Sequence, residues 1–197
     1  SWLDQARNEV AEVAHALGGE SELGERLTRR ISMLQELFVE LDRLALCPLG
    51  ELAAPVDLAA ELRELLAQAE ARAARHDVRL EVAIPESLEA SVPRATFGLI
   101  ARGLIDHAIA ATPREGVVRI ELGPRGRGFA LRVEDGGPAV PVASRADVLR
   151  RRTDPTALGR PEGLALLVAD VAAEVLGASL SLGETPAGRF EVELRSS

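Results

Sequence analysis

The chain contains no lysine and no tyrosine, and only one cysteine, one tryptophan and four phenylalanines in 197 residues. Without lysine there is no Schiff-base chemistry and no lysine general base. All 23 basic residues are arginine, and Ala, Leu, Val and Glu are abundant beside them, as a GC-rich coding bias produces. The arginine count by itself therefore says little about function. A lone Cys47 excludes an internal disulfide framework and a cysteine-clustered zinc site. No apolar run is long enough to span a bilayer, and no charged-then-apolar leader opens the chain. Basic residues are outnumbered by 31 acidic ones, giving a net charge of −8, which argues against nucleic-acid binding as the main task. What is present is a 47% hydrophobic composition, enough for a packed core. The expectation is a cytoplasmic protein or domain; an opening Ser1 in place of Met further suggests a piece of something longer.

Residues 1–50 read as a helical hairpin. Leu3, Ala6, Val10, Val13 and Leu17 recur at helical spacing, Gly18-Gly19 ends that helix, and Ser21 can cap the next. Leu23, Leu27, Ile31, Leu34, Leu37, Leu41 and Leu44 form a stripe on the second helix wider than one partner helix covers. A homodimer closing a four-helix bundle would cover it; packing on the rest of the same chain is the alternative. Cys47-Pro48 breaks the helix.

Residues 51–197 read as a second domain. Asp57 caps a helix over 57–75 with Leu58, Leu62, Leu65, Leu66 and Ala69 on one face. Val78, Leu80, Val82 and Ile84 alternate as in a half-buried strand. Pro93 starts a helix to about Thr112, with Phe97, Ile100, Leu104, Ile105 and Ala108 inward. Segments 117–122 and 128–134 form a hairpin through Gly-Pro-Arg-Gly-Arg. A weakly structured stretch, 144–160, carries Arg150-Arg151-Arg152, a candidate phosphate or acidic-partner contact or simply a solvated turn. A helix over 161–176 and strands at 178–182 and 189–194 complete an α+β sandwich, with helices on one face of a mixed sheet.

Three motifs in order resemble the core of a bacterial sensor histidine kinase, a dimerisation hairpin followed by an ATP-binding domain of the GHKL (Bergerat) type. Residues 104–113, LIDHAIAATP, resemble the N-box N-L-I-D-N-A-I-K-Y-T-P. Residues 133–141, VEDGGPAVP, are similar to V-x-D-N-G-P-G-I-P, and residues 159–166, GRPEGLAL, to G-T-G-L-G-L. The tail, Leu176-Gly177-Ala178 through Gly188-Arg189-Phe190, looks like the closing hairpin of the family.

The resemblance implies that Asp135 accepts a hydrogen bond from the adenine amino group and that Gly137 gives a tight loop against the purine. It also implies that Gly159 and Gly163 let backbone N–H groups face phosphates. His107 stands where the family has the asparagine that supplies oxygen to Mg²⁺, and imidazole suits that hard cation poorly. Gly103 replaces the upstream asparagine, Ala110 the lysine and Ala139 the second glycine of the Asp135 loop, and Val148-Leu149-Arg150-Arg151-Arg152 replaces the aromatic box of the lid. The phosphoacceptor candidate is His15, the only histidine of the hairpin, which lacks the usual acidic neighbour and proline.

The expected function is accordingly that of a two-component signalling protein with a degenerate nucleotide site, a pseudokinase or a phosphorelay phosphotransferase. It would act as a homodimer on a response-regulator receiver domain or another kinase, with ATP and Mg²⁺ bound weakly or not at all. The alternatives are an active ATP-dependent histidine kinase with divergent motifs, and an anti-sigma-type regulator on the same ATP-binding fold.

Overall fold

The computed structural model describes residues 51–149, 155–161 and 165–196. The expected hairpin of residues 1–50, with His15, lies outside these residues, as do Arg150-Arg151-Arg152 and Gly163.

Strand β1 (Ala54–Asp57) runs directly into helix α1 (Leu58–His76). The junction is fixed by Asp57. Its Oδ1 accepts from Ala59 N at 3.0 Å and Ala60 N at 3.3 Å, capping the helix as the sequence predicts. The same carboxylate also accepts from Leu88 N at 3.0 Å and Ser87 Oγ at 3.0 Å, tying the cap to strand β3 (Glu89–Val92). β1 and β3 pair antiparallel in a small sheet. At the other end of α1, Asp77 takes the left-handed conformation (φ 57°) and closes the last turn through its N–H to Ala73 O and Ala74 O.

The main sheet has five strands in the order β2-β4-β5-β7-β6. β2 (Arg79–Ala83) pairs parallel with β4 (Val117–Arg125), and helix α2 (Arg94–Ala111) lies between them in the chain. β5 (Gly128–Asp135), β7 (Phe190–Ser196) and β6 (Ala178–Glu184) continue antiparallel. Helix α3 (Val142–Leu149), a short 3₁₀ turn (Pro155–Leu158) and helix α4 (Ala165–Leu176) connect β5 to β6.

Alternation puts Val118, Ile120, Leu122, Phe129, Leu131, Val133, Val192 and Leu194 on one face, all buried. They meet Leu58, Leu62, Phe97, Ile100, Leu104 and Ala169 from α1, α2 and α4 in one core. Phe97 and Phe129 cross edge to face at 5.7 Å and 83°, where helix layer meets sheet. The opposite face of the sheet is a ladder of charges. Glu193, 3% exposed, draws in Arg125, Arg132 and Arg195.

The mixed sheet with helices on one face matches the sequence expectation; several boundaries do not. The Gly-Pro-Arg-Gly-Arg connection is shorter than expected. β4 runs on through Pro124 to Arg125, and only Gly126 and Arg127 turn, with Gly126 at φ 60°. β1 and β3, four residues each, carry too little pattern to be read. Val82 is 47% exposed because β2 is an edge strand, so its alternation is weaker than a central strand's. The stretch from Ser144 is ordered from Val142 as α3, anchored by the buried Val148.

The Asp57 carboxyl lies below its ordinary value of 3.8, chiefly because Leu88 N–H hydrogen-bonds to the charged form. Stability from this shift is complete above the unfolded value and is lost as pH falls through the folded one. Asp57→Ala is expected to lower the melting temperature at pH 7. The gap between variant and wild type should narrow below about pH 4, as thermal melts followed by circular dichroism will record.

Candidate functional site

Four elements converge at one end of the central strand. β5 ends in Asp135, 1% exposed, and register pairs Asp135 with Phe190 at the start of β7. Cross-strand partners share a face, so the carboxylate and the aromatic ring lie side by side. α2 contributes His107 from its C-terminal half, on the buried side of the helix. The fourth element is the segment after the 3₁₀ turn. Gly159, at φ 70°, reverses the chain, and Arg160 N donates to Pro155 O at 3.0 Å. That reversal sends the Arg160 side chain inward, leaving it 1% exposed.

The Arg160 guanidinium fills the site. Nη1 donates to Asp135 Oδ1 at 2.7 Å, and Nη2 donates to Asp135 Oδ2 at 2.5 Å, a two-pronged pair. Nη1 also donates to Pro138 O at 3.2 Å, and Nη2 lies 3.0 Å from His107 Nε2. The guanidinium carbon stands 3.9 Å above the centre of the Phe190 ring. Burial, with the Arg160 charge acting in the same sense, pushes the His107 imidazole from 6.5 down to about 3. His107 is therefore neutral, and its Nε2 accepts from Arg160.

The loop after β5 is shaped by the same carboxylate. Gly137 N donates to Asp135 Oδ1 at 2.8 Å, a tight turn of the Asx kind. A Cβ on Gly137 would stand 2.7 Å from Ala111 O and 2.8 Å from Arg160 Nη1, so only glycine fits. Thr112 links the loop to α2, accepting from Gly136 N at 3.1 Å while donating to Ala108 O at 2.8 Å. Asp106, next to His107, turns the other way and pairs with Arg72 of α1 at 2.6 Å. Ala110 is exposed, and a Cβ on Gly103 would stand 3.7 Å from Ala165 O, where α2 and α4 approach.

Of the residues singled out from sequence, Asp135, Gly137, His107 and Gly159 are brought together. Arg160 and Phe190 occur in the quoted motifs but carry no role in the sequence reading. Phe190 could be found from alternation, as the aromatic nearest the Asp135 register. Nothing local tells whether an arginine beside Gly159 points in or out. Among the described residues, no three His, Cys, Asp or Glu side chains are grouped to hold a metal ion.

Chemically, the arrangement is a closed ion pair rather than a nucleophile or an acid–base couple. Removing either partner strands a buried charge, a cost of about 3–5 kcal/mol. His107 makes the site sensitive to acid. An unfolded chain binds a proton near pH 6.5, whereas the folded site resists until about pH 3. Stability from a neutral His107 is thus complete above 6.5 and falls as pH drops, by up to about 1.4 kcal/mol per pH unit. His107→Asn keeps an acceptor for Arg160 and removes the titration. Urea denaturation at pH 7 and pH 5 should show a smaller loss of stability in the variant than in wild type.

No protein-family model matches the chain. It is 28% identical over 172 residues to the sensor protein kinase PmrB of Pseudomonas aeruginosa, an alignment covering 86% of this chain. The chain covers only 36% of the length of that relative. Among solved structures, the mycobacterial sensor histidine kinase MprB matches with a TM-score of 0.63 at 22% identity, covering 72% of this chain and 95% of that one. The ATP-binding domain of PrrB from Mycobacterium tuberculosis matches with a TM-score of 0.55 at 22% identity, over 73% of this chain and 96% of that one. No helix among the described residues is long and apolar enough to cross a membrane. The described residues thus have the fold of histidine-kinase ATP-binding domains, and the chain is similar in sequence to part of a sensor protein kinase.

Proposed function

We propose that this chain is a two-component signalling protein of histidine-kinase architecture whose nucleotide site is degenerate. It acts as a dimeric phosphotransfer or scaffold partner of a response-regulator receiver domain or of another kinase. The observation that carries this reading is Arg160 seated on both oxygens of Asp135, the residue the family resemblance assigns to adenine.

The residues present do not fit the magnesium–nucleotide group that the resemblance implies. A base entering the site would have to displace a fully desolvated ion pair, and a neutral amino group returns one hydrogen bond for a charge-assisted pair. At the metal position, His107 offers a nitrogen already engaged by Arg160 instead of the hard oxygen that Mg²⁺ prefers. Ala110 supplies no charge for a phosphate. No catalytic step through nucleotide or metal is therefore assigned. The residues of this site act by closing it: Arg160 neutralises Asp135, and His107 stays unprotonated beside it.

The remaining parts of the proposal follow the hairpin reading. Residues 1–50 supply the dimer seam, residues 51–197 the second domain, and His15 is the acceptor candidate if phosphate is relayed. The similarity to PmrB supports placing the chain beside a receiver domain.

The test is incubation of the full chain with radiolabelled ATP and Mg²⁺ and, separately, with a phosphorylated receiver domain, comparing wild type with His15→Ala. The chain is expected to take no label from ATP and to bind the receiver domain. Label passed from the receiver and lost in His15→Ala would place it among the phosphotransferases. Receiver binding without label would make it a scaffold. Stable label from ATP would overturn the degenerate-site reading, and absence of receiver and kinase binding the signalling one.

A further inference from the structure

The pocket at the end of β5 presents acceptors in the arrangement of a planar, multiply donating cation. Both oxygens of Asp135 lie on one side, Pro138 O and His107 Nε2 flank them, and the Phe190 ring forms the floor. We propose that this is a guanidinium site. Its resident ligand is Arg160 of the same chain, and on withdrawal of Arg160 it takes a free guanidinium or amidinium cation rather than a nucleotide base.

The match is specific to that chemistry. Guanidinium carries five N–H groups in one plane. Its two terminal nitrogens meet the two carboxylate oxygens side by side, at 2.7 and 2.5 Å. The same two nitrogens reach outward to Pro138 O at 3.2 Å and His107 Nε2 at 3.0 Å. Only Nε, on the side where the aliphatic stem enters, has no partner. An ammonium group lacks the plane that lies over Phe190 and the fork that spans both oxygens. An adenine amino group has two N–H groups and no charge, so it would leave Asp135 buried without a counterion. Gly137 completes the fit, because a Cβ there would come within 2.8 Å of Arg160 Nη1.

The consequence is that ligand and loop are one piece of chain. The Arg160 side chain ties residues 155–161 to β5, α2 and β7 at once, beside the packing of Leu158 on the core. The inference rests on the degenerate-site reading in one respect, that a nucleotide is not the natural occupant of this pocket.

The experiment is chemical rescue on the full chain. Arg160→Ala is melted with and without methylguanidinium, methylammonium, adenosine or ATP at millimolar concentration. Arg160→Ala is expected to melt below wild type, and methylguanidinium to recover most of the difference by binding the folded state. Wild type and Arg160→Ala/Asp135→Asn are expected to show no such gain, and methylammonium to give none. A gain with adenosine or ATP but not with methylguanidinium would overturn the inference, and so would the absence of any gain. Should Arg160→Ala fail to fold, wild type carries the test. Its proton NMR spectrum is expected to show separate, slowly exchanging guanidinium protons with nuclear Overhauser contacts to the Phe190 ring. Arg160 protons averaged and exchanging as in solvent would overturn the site. Nucleotide binding by wild type would instead strike the degenerate-site reading, whereas nucleotide binding by Arg160→Ala alone strikes only this one.

Discussion

A buried carboxylate at the end of a central strand has to be neutralised, and that requirement organises one end of this molecule. Asp135 sits inside the sheet–helix core, beside Val133 and opposite Phe190, where an uncompensated charge would cost several kcal/mol. The chain meets the requirement from within. Gly159 reverses direction, Arg160 enters, and the loop from Pro155 to Pro161 is drawn onto β5, α2 and β7 as a result. His107 remains neutral chiefly because it is buried away from water, with that same guanidinium adding to the effect. Gly137 remains glycine-only because Arg160 and Ala111 leave no room for a Cβ.

The two faces of the sheet solve the charge problem differently. On the outer face, Glu193 is nearly buried but is surrounded by Arg125, Arg132 and Arg195, each 39–46% exposed. Water screens those pairs, and no one of them decides the fold. The Asp135–Arg160 pair is 1% exposed on both sides, so screening is absent and geometry decides. In a chain without lysine, arginine is the cation available for such a place, and its planar fork suits a carboxylate and an aromatic floor together.

Much of the fold is legible in the sequence because its elements are long and periodic. The leucine stripe of α1, the apolar face of α2 and the alternation of β4 and β5 each repeat over many residues, and burial follows the repeat. Asp57 is legible as a cap because a carboxylate just before an apolar stripe has a local job. β1, β3 and α3 are not legible, since four strand residues or two helical turns set too short a period, and β1 and β3 form only by pairing across more than thirty residues of chain. Asp135, Gly137 and Gly159 are singled out in the sequence only through the motifs that resemble the family, and the structure brings them to one place. The role of Arg160 is not legible, for its partners lie 25 and 53 residues away, and only the folded register brings Asp135, His107 and Phe190 within reach of one side chain.

The central claim is that an arginine, not a nucleotide, occupies the place against Asp135. Calorimetric titration of the wild-type chain with ATP, with and without Mg²⁺, tests it most directly. With Arg160 seated, any binding should be weaker than roughly millimolar and indifferent to Mg²⁺. Tight binding that requires Mg²⁺ would mean that Arg160 yields to the base and His107 tolerates the metal, and would contradict the claim.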